Sequence, residues 1–157
     1  ILIVKLKNNS EDTLCLMVNH WPSRMGGVSE TEFKRVLASM TLTDYLKKVE
    51  LPTIIMGDFN DELENRSVEN LMSLSGVYPL LNSNIGGTLK YQGEWNTFDM
   101  LFSNSKRQFS NGNVYQPHWL FQDDLQFGGV MPYRYVSGEK VIGGYSDHLP
   151  IYCFWKF

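Results

Sequence analysis

LPTIIMGDFND, residues 51–61, passes from an apolar run straight into a cluster of polar side chains. Its first half, PTIIM, is short, rich in β-branched and apolar residues and free of polar alternation, which predicts a strand covered on both faces. The chain then presents Asp58, Asn60 and Asp61 in quick succession. An Asp and an Asn directly after a strand commonly close an Asx-turn. The same groups at a strand end also suit a site for a metal and a phosphate, so the neighbouring segments have to decide.

Working outward, ILIVKLK (1–7) and TLCLMVN (13–19) flank the polar NNSED, which predicts two antiparallel strands joined by a hairpin. Leu14, Leu16 and Val18 alternate with Thr13, Cys15, Met17 and Asn19, so one face is plainly apolar. HWPSRMGG reads as a loop from its Pro and Gly pair. SETE (29–32) has capping-box form, with Ser29 as cap and Glu32 reaching back. The helix it opens is expected to run to about residue 49, with Phe33, Val36, Leu37, Met40 and Leu46 on its inner face.

Downstream, SVENLMSLSG predicts a shorter helix ended by Gly76, and NTFDMLFS (96–103) another strand. Residues 104–144 are expected to form long loops around a weak strand at about 112–116, and HLPIYCFWKF (148–157) a final strand. The order describes a single α+β domain over residues 1–157, with a mixed, mostly antiparallel sheet flanked by helices.

Composition narrows the function. The 157 residues are 43% hydrophobic and 20% charged, as in an ordinary globular chain. A net charge of −3 argues against a protein that grips long duplex nucleic acid through its phosphates. It leaves room for a nuclease holding a few phosphates, or for an enzyme of small phosphate esters. No apolar run is long enough to span a membrane. Cys15 and Cys153 lack zinc-ligand spacing and read as buried reduced thiols, with a disulfide between them left open. The chain opens in mid-strand, which suggests a fragment or a processed product.

Four polar clusters each adjoin a strand end: NHWPSR (19–24), GDFND (57–61), Asp99 in NTFDMLF, and YSDHLP (145–150). Asp99 among apolar neighbours must be paired or bonded, and a histidine is a natural partner. Together the clusters fit attack of water on phosphorus, which needs a base, a group to orient it, and donors for the developing charge. His148 supplies the base, and Asp99 fixes its tautomer. Asp58 and Asn60 orient the water and hold a phosphate oxygen, and His20 donates to another. Asp147 with a partner can hold Mg²⁺, which takes one or two carboxylates together with substrate oxygens and waters. Arg24 reads either as a phosphate contact or as an exposed loop arginine.

These motifs, in this order, resemble the endonuclease/exonuclease/phosphatase superfamily, the deoxyribonuclease I-like proteins, and within it a bacterial branch. The resemblance runs from about residue 13 to the C-terminus, loosely over 104–144. It implies that His20, Asp58, Asn60, Asp99, Asp147 and His148 are catalytic, with Asp147 and Asp58 toward the metal and Asn19 and Arg24 toward the substrate. It also implies Mg²⁺, or Mn²⁺, as cofactor. Family domains form a four-layer α/β/β/α sandwich of about twice this length, and the metal-binding Glu of their first half has no counterpart here. The expected fold is therefore half of that sandwich.

Two functions follow as expectations. The first is a metal-dependent phosphoesterase of nuclease or phosphatase type, in which histidine-activated water hydrolyses a phosphodiester or phosphomonoester. The second is a non-catalytic fragment that binds a phosphorylated ligand or a partner, through a dimer or an absent N-terminal segment. The acidic balance and the aromatics of QPHWLFQ and MPYRYV favour a small or lipid-like phosphoester over duplex DNA, with stacking of single-stranded bases an alternative.

Overall fold

A computed structural model describes residues 1–81, 86–105 and 109–156. The chain opens with strands β1 (Leu2–Lys7) and β2 (Thr13–His20), helix α1 (Val28–Leu46) and strand β3 (Thr53–Asp58). Helix α2 (Arg66–Ser75) and strand β4 (Tyr78–Pro79) follow, then a hairpin of β5 (Leu89–Tyr91) and β6 (Glu94–Asn96), and β7 (Asp99–Ser103). The last third holds short strands: β8 (Asn113–Val114), β9 (Phe121–Asp123), β10 (Val130–Pro132), β11 (Val136–Ser137), β12 (Lys140–Val141) and β13 (Ile151–Tyr152).

The main sheet has the order β1-β2-β3-β7-β4. Only β2 and β3 run parallel, because α1 carries the chain back between them. Every other pair in this sheet is antiparallel, so the fold is α+β as expected. The parallel register sets His20 beside Asp58, and the antiparallel register sets Asp58 opposite Asp99. Three separate sequence segments thus end at one edge of the sheet.

The core lies between the sheet and the two helices. Cys15 and Met17 of β2, Ile55 of β3 and Met100 and Phe102 of β7 pack there against Leu42, Leu46, Val68 and Leu71. The apolar face of β2 lies on the other side of the sheet, where Leu14 is buried too. Leu16 joins a smaller cluster with Ile54, Leu80 and Leu101 on the other face of the sheet. Leu2, Leu6 and Val18 share that face and remain exposed. A second face covered only in part, and apolar throughout, gives alternation no polar side to mark.

Helix α1 departs further from expectation. It starts at Val28 behind the N-cap Gly27 with no side-chain cap bond, so Ser29 and Glu32 do not form the expected box, and it stops at Leu46. Its buried positions are Thr31, Arg35, Ser39, Leu42, Thr43 and Leu46, whereas Phe33, Leu37 and Met40 face outward. Arg35 is the reason: a fully buried guanidinium needs a buried anion, and it turns the polar stripe inward to meet Asp61.

Helix α2 ends as expected at Gly76, which caps it in the left-handed conformation with φ 71°. The expected strand 96–103 is interrupted at Thr97 and Phe98, making Asp99 the first residue of β7. The weak strand at 112–116 is β8. The long loops around it hold two further hairpins, β9–β10 and β11–β12. The expected final strand is regular only over β13, with Trp155 bridged to Phe109, and Phe157 lies outside the described residues. Cys15 and Cys153 are free thiols in different clusters, each held above the ordinary thiol range by burial.

Candidate active site

The site is built on the turn after β3. Gly57 has φ 129°, and a Cβ there would stand 2.0 Å from the carbonyl oxygen of Asn19. Only glycine lets the two parallel strands approach this closely where they deliver His20 and Asp58. Beyond it Phe59 points down into the core, edge-on to Trp21 and Phe102 with ring centroids 4.8 and 5.2 Å away. The aromatic trio fixes the floor of the turn while the polar residues on either side of Phe59 stay above it.

The Asx-turn and the candidate site residues are one structure. Asp58 Oδ1 accepts the backbone N–H of Asn60 at 2.8 Å. Asn60, at φ 52°, donates its side-chain amide to Asp58 Oδ2 at 3.1 Å and to the carbonyl of Trp21 at 2.9 Å. The exposed His20 ring sets Nε2 3.6 Å from Asp58 Oδ2.

Opposite this turn, His148 Nδ1 lies 2.6 Å from Asp99 Oδ2. The carboxylate accepts from Nδ1–H, which places the lone pair of the neutral ring on Nε2. Two carboxylates, Asp58 and Asp99, face each other across β3 and β7, an arrangement that favours a proton or cation between them. Burial raises the pKa of Asp58, and the charge of Asp99 adds to this against the pull of the Asn60 amide. For His148 burial acts downward, yet the hydrogen bond and charge of Asp99, joined by Asp58 and Asp147, carry its pKa above the ordinary imidazole value. Asp147 itself is exposed.

Thr88 was missed from the sequence. Its buried hydroxyl accepts the backbone N–H groups of Phe98 and Asp99, both at 3.2 Å, and its carbonyl accepts that of Leu149 at 2.7 Å. The next residue, Leu89, is bridged to His148. Thr88 and the first residue of β5 therefore hold both the Asp99 and the His148 segments. A lone Thr between two glycines and an apolar residue carries no motif that could have revealed this.

Asn19 and Arg24 are placed otherwise than expected. Asn19 is buried, donating to the carbonyl of Met17 and accepting from Trp21 Nε1, so it positions the strand end and has no exposed face for substrate. Arg24 is drawn into the turn. Its Nε donates to the Asn60 carbonyl at 2.8 Å, its Nη2 to Asp61 and Asn65 at 3.0 and 2.7 Å, and its plane covers Phe98. Asp61 is buried between Arg24, Arg35 at 2.7 Å and Ser67 at 2.6 Å. It anchors the turn from below.

The expected metal pair does not fit a complete site. Among the described residues no three His, Cys, Asp or Glu side chains come together to hold a metal ion. Mg²⁺ demands near-octahedral oxygens, and Asp58 with Asp147 cannot supply them alone.

A family model described as "Endonuclease/Exonuclease/phosphatase family" matches residues 1–156. No curated protein matches the chain. Among solved structures, a substituted beta toxin from Staphylococcus aureus with bound magnesium ions is 17% identical at a TM-score of 0.70, over 98% of this chain and 57% of that one. A mannosyl-6-phosphatase of Bacteroides thetaiotaomicron is 14% identical at 0.63, over 95% and 53%. The catalytic domain of human Nocturnin is 19% identical at 0.55, over 97% and 51%. At these identities the likeness is one of fold, and this chain spans little more than half the length of each. The strand order, the turn after β3 and the match along nearly the whole sequence lead to one conclusion: the chain belongs to the endonuclease/exonuclease/phosphatase family.

Proposed function

We propose that the protein containing this chain hydrolyses a phosphate ester with water activated by His148. The observation that carries this reading is the 2.6 Å contact of His148 Nδ1 with Asp99, at the edge where β3 delivers Asp58 and Asn60. A base whose second nitrogen is oriented by a carboxylate takes a proton from water at Nε2, and the resulting imidazolium is stabilised by Asp99. The paired charges of Asp58 and Asp99 favour that imidazolium further, which matches the raised pKa of His148. The Asn60 amide and the exposed His20 are the donors nearest to the carboxylate pair, and they suit the oxygens of a phosphoryl group as charge builds on them. The mannosyl-6-phosphatase among the similar folds supports phosphoester hydrolysis as the reaction class.

The test is an assay of the full-length protein, with and without added Mg²⁺ and Mn²⁺, on p-nitrophenyl phosphate and its bis-ester. His148→Ala should lower kcat by about 10²–10⁴-fold, the contribution of a positioned base, with the circular dichroism spectrum unchanged. A variant that keeps nearly parental turnover would show that another group is the base.

A further inference from the structure

Between the β5–β6 and β9–β10 hairpins, away from the carboxylate pair, lies a cavity of about 820 Å³. This is the size range of small-molecule sites, roughly 300–1,000 Å³. Its base is closed by an ion pair: Lys90 Nζ lies 2.8 Å from Asp124 Oδ2 and donates to the carbonyl of Gly128 at 2.6 Å, with both side chains buried. Asp124 also accepts the backbone N–H groups of Gln126 and Phe127, which fixes the turn that forms one wall. Lys90 and Asp124 thus neutralise each other.

Arg134 has no such partner. Its Nε is buried without an acceptor, and no hydrogen bond, ion pair or ring contact engages its guanidinium among the described residues. A guanidinium presents five donors in a planar fork that matches carboxylate and phosphate. The Nε is closed off from solvent, so the donors that a ligand in the cavity would meet are the Nη groups. The other walls include the rings of Tyr91 and Phe127 and the thioether of Met131. Asp123 stands exposed at the same cavity and disfavours a second anionic group.

We propose that this cavity binds a small organic anion, a single carboxylate or phosphate group on an apolar or aromatic body, with Arg134 as its anchor. The cavity adjoins β5, the strand bridged to the His148 segment. Lys90 follows the residue bridged to His148, and Gly144 packs its bare backbone on the carbonyls of Tyr133 and Arg134, where a Cβ would stand at 2.3 and 2.6 Å. The proposal stands on the cavity alone and holds whether or not His148 is a base.

The experiment titrates the ¹⁵N-labelled full-length protein with benzoate and, separately, with phenylphosphonate, and compares each with benzyl alcohol and inorganic phosphate. Benzoate or phenylphosphonate should shift amides at residues 90–93 and 122–134, and the tighter of the two identifies the anion. Arg134→Gln should weaken binding at least about tenfold, the loss of a charge-assisted bidentate contact, and Arg134→Lys by less. His148→Ala should leave benzoate binding unchanged. Tyr91→Ala, which keeps the charge, should weaken benzoate several-fold, so the idea stays testable if the Arg134 variants misfold. Benzyl alcohol binding as tightly as benzoate, Arg134→Gln binding at parental affinity, or shifts confined to the surroundings of Asp58 and His148 would each overturn it.

Discussion

Replacing Asp61 by alanine strands the charge of Arg35 inside the molecule. The two side chains are 2% and 0% exposed and meet at 2.7 Å, so Arg35 cannot turn to water when its partner is gone. Removing one member of such a pair costs about 3–5 kcal/mol. In a chain of this length each kcal/mol lowers Tm by roughly 2–4 °C, so a fall on the order of 6–20 °C is expected. Arg24 softens the effect only slightly, because it is partly exposed and keeps Asn65 and the Asn60 carbonyl. The double variant Arg35→Met with Asp61→Leu removes both charges and should recover most of the loss. Urea unfolding followed by the fluorescence of Trp21, which packs on Phe59 beneath the turn, measures all three proteins. An Asp61→Ala protein within about 1 kcal/mol of the parent, the scale of a surface ion pair, would refute the reasoning. So would a double variant no more stable than the single one.

Four further outcomes are expected. Turnover should rise with pH through the raised pKa of His148, and Asp99→Asn, besides slowing the reaction, should move that limb to lower pH because the leading upward influence is removed; a pH–rate profile beside an NMR titration of the ring checks both. By the same linkage, the contribution of His148 to stability is complete below its ordinary pKa and lost as pH rises through the folded one, so His148→Ala should cost more stability at pH 6 than at pH 9. Thr88→Val leaves two inward N–H groups without an acceptor and should cost about 1–3 kcal/mol in urea unfolding, whereas Thr88→Ser should stay close to the parent. Gly57→Ala places a methyl 2.0 Å from the Asn19 oxygen and should destabilise by more than about 2 kcal/mol or prevent soluble expression, read by thermal melting.

The parts of the fold legible in the sequence are those set by local chemistry. The hairpin of β1 and β2 follows from two apolar runs around a polar turn, and the end of α2 follows from Gly76. The turn after β3 was equally legible, because Asp58 and Asn60 leave a buried strand with no apolar residue to hide them except Phe59. The pairing of Asp99 with a histidine followed from the cost of a lone carboxylate among apolar neighbours. What failed were inferences that take hydrophobicity as the sign of burial. Phe33, Leu37 and Met40 make a convincing stripe, yet Arg35 and its polar neighbours are the residues inside. That inversion depends on Asp61, a residue 26 positions away whose burial no local window reveals. Arg24 is drawn into the turn by the same residue, and Thr88 acts through its backbone and one hydroxyl, which no residue pattern records.

Asp61 also determines how the turn can move. A surface loop ordinarily opens on its own, and its amides exchange with solvent long before the core yields. Here Asn60 is locked from both sides, by Asp58 above and by Arg24 through its carbonyl, and Arg24 shares Asp61 with the wholly buried Arg35 of α1. Opening the turn therefore means exposing the helix. Protection of the Asn60 amide against deuterium exchange should match that of the slowest amides of β3, as if the turn were a piece of core that happens to meet the solvent. Any accommodation to ligands of different shape then falls to the β11–β12 hairpin, whose strand residues are all exposed, because β9–β10 is itself pinned by the buried pair of Lys90 and Asp124.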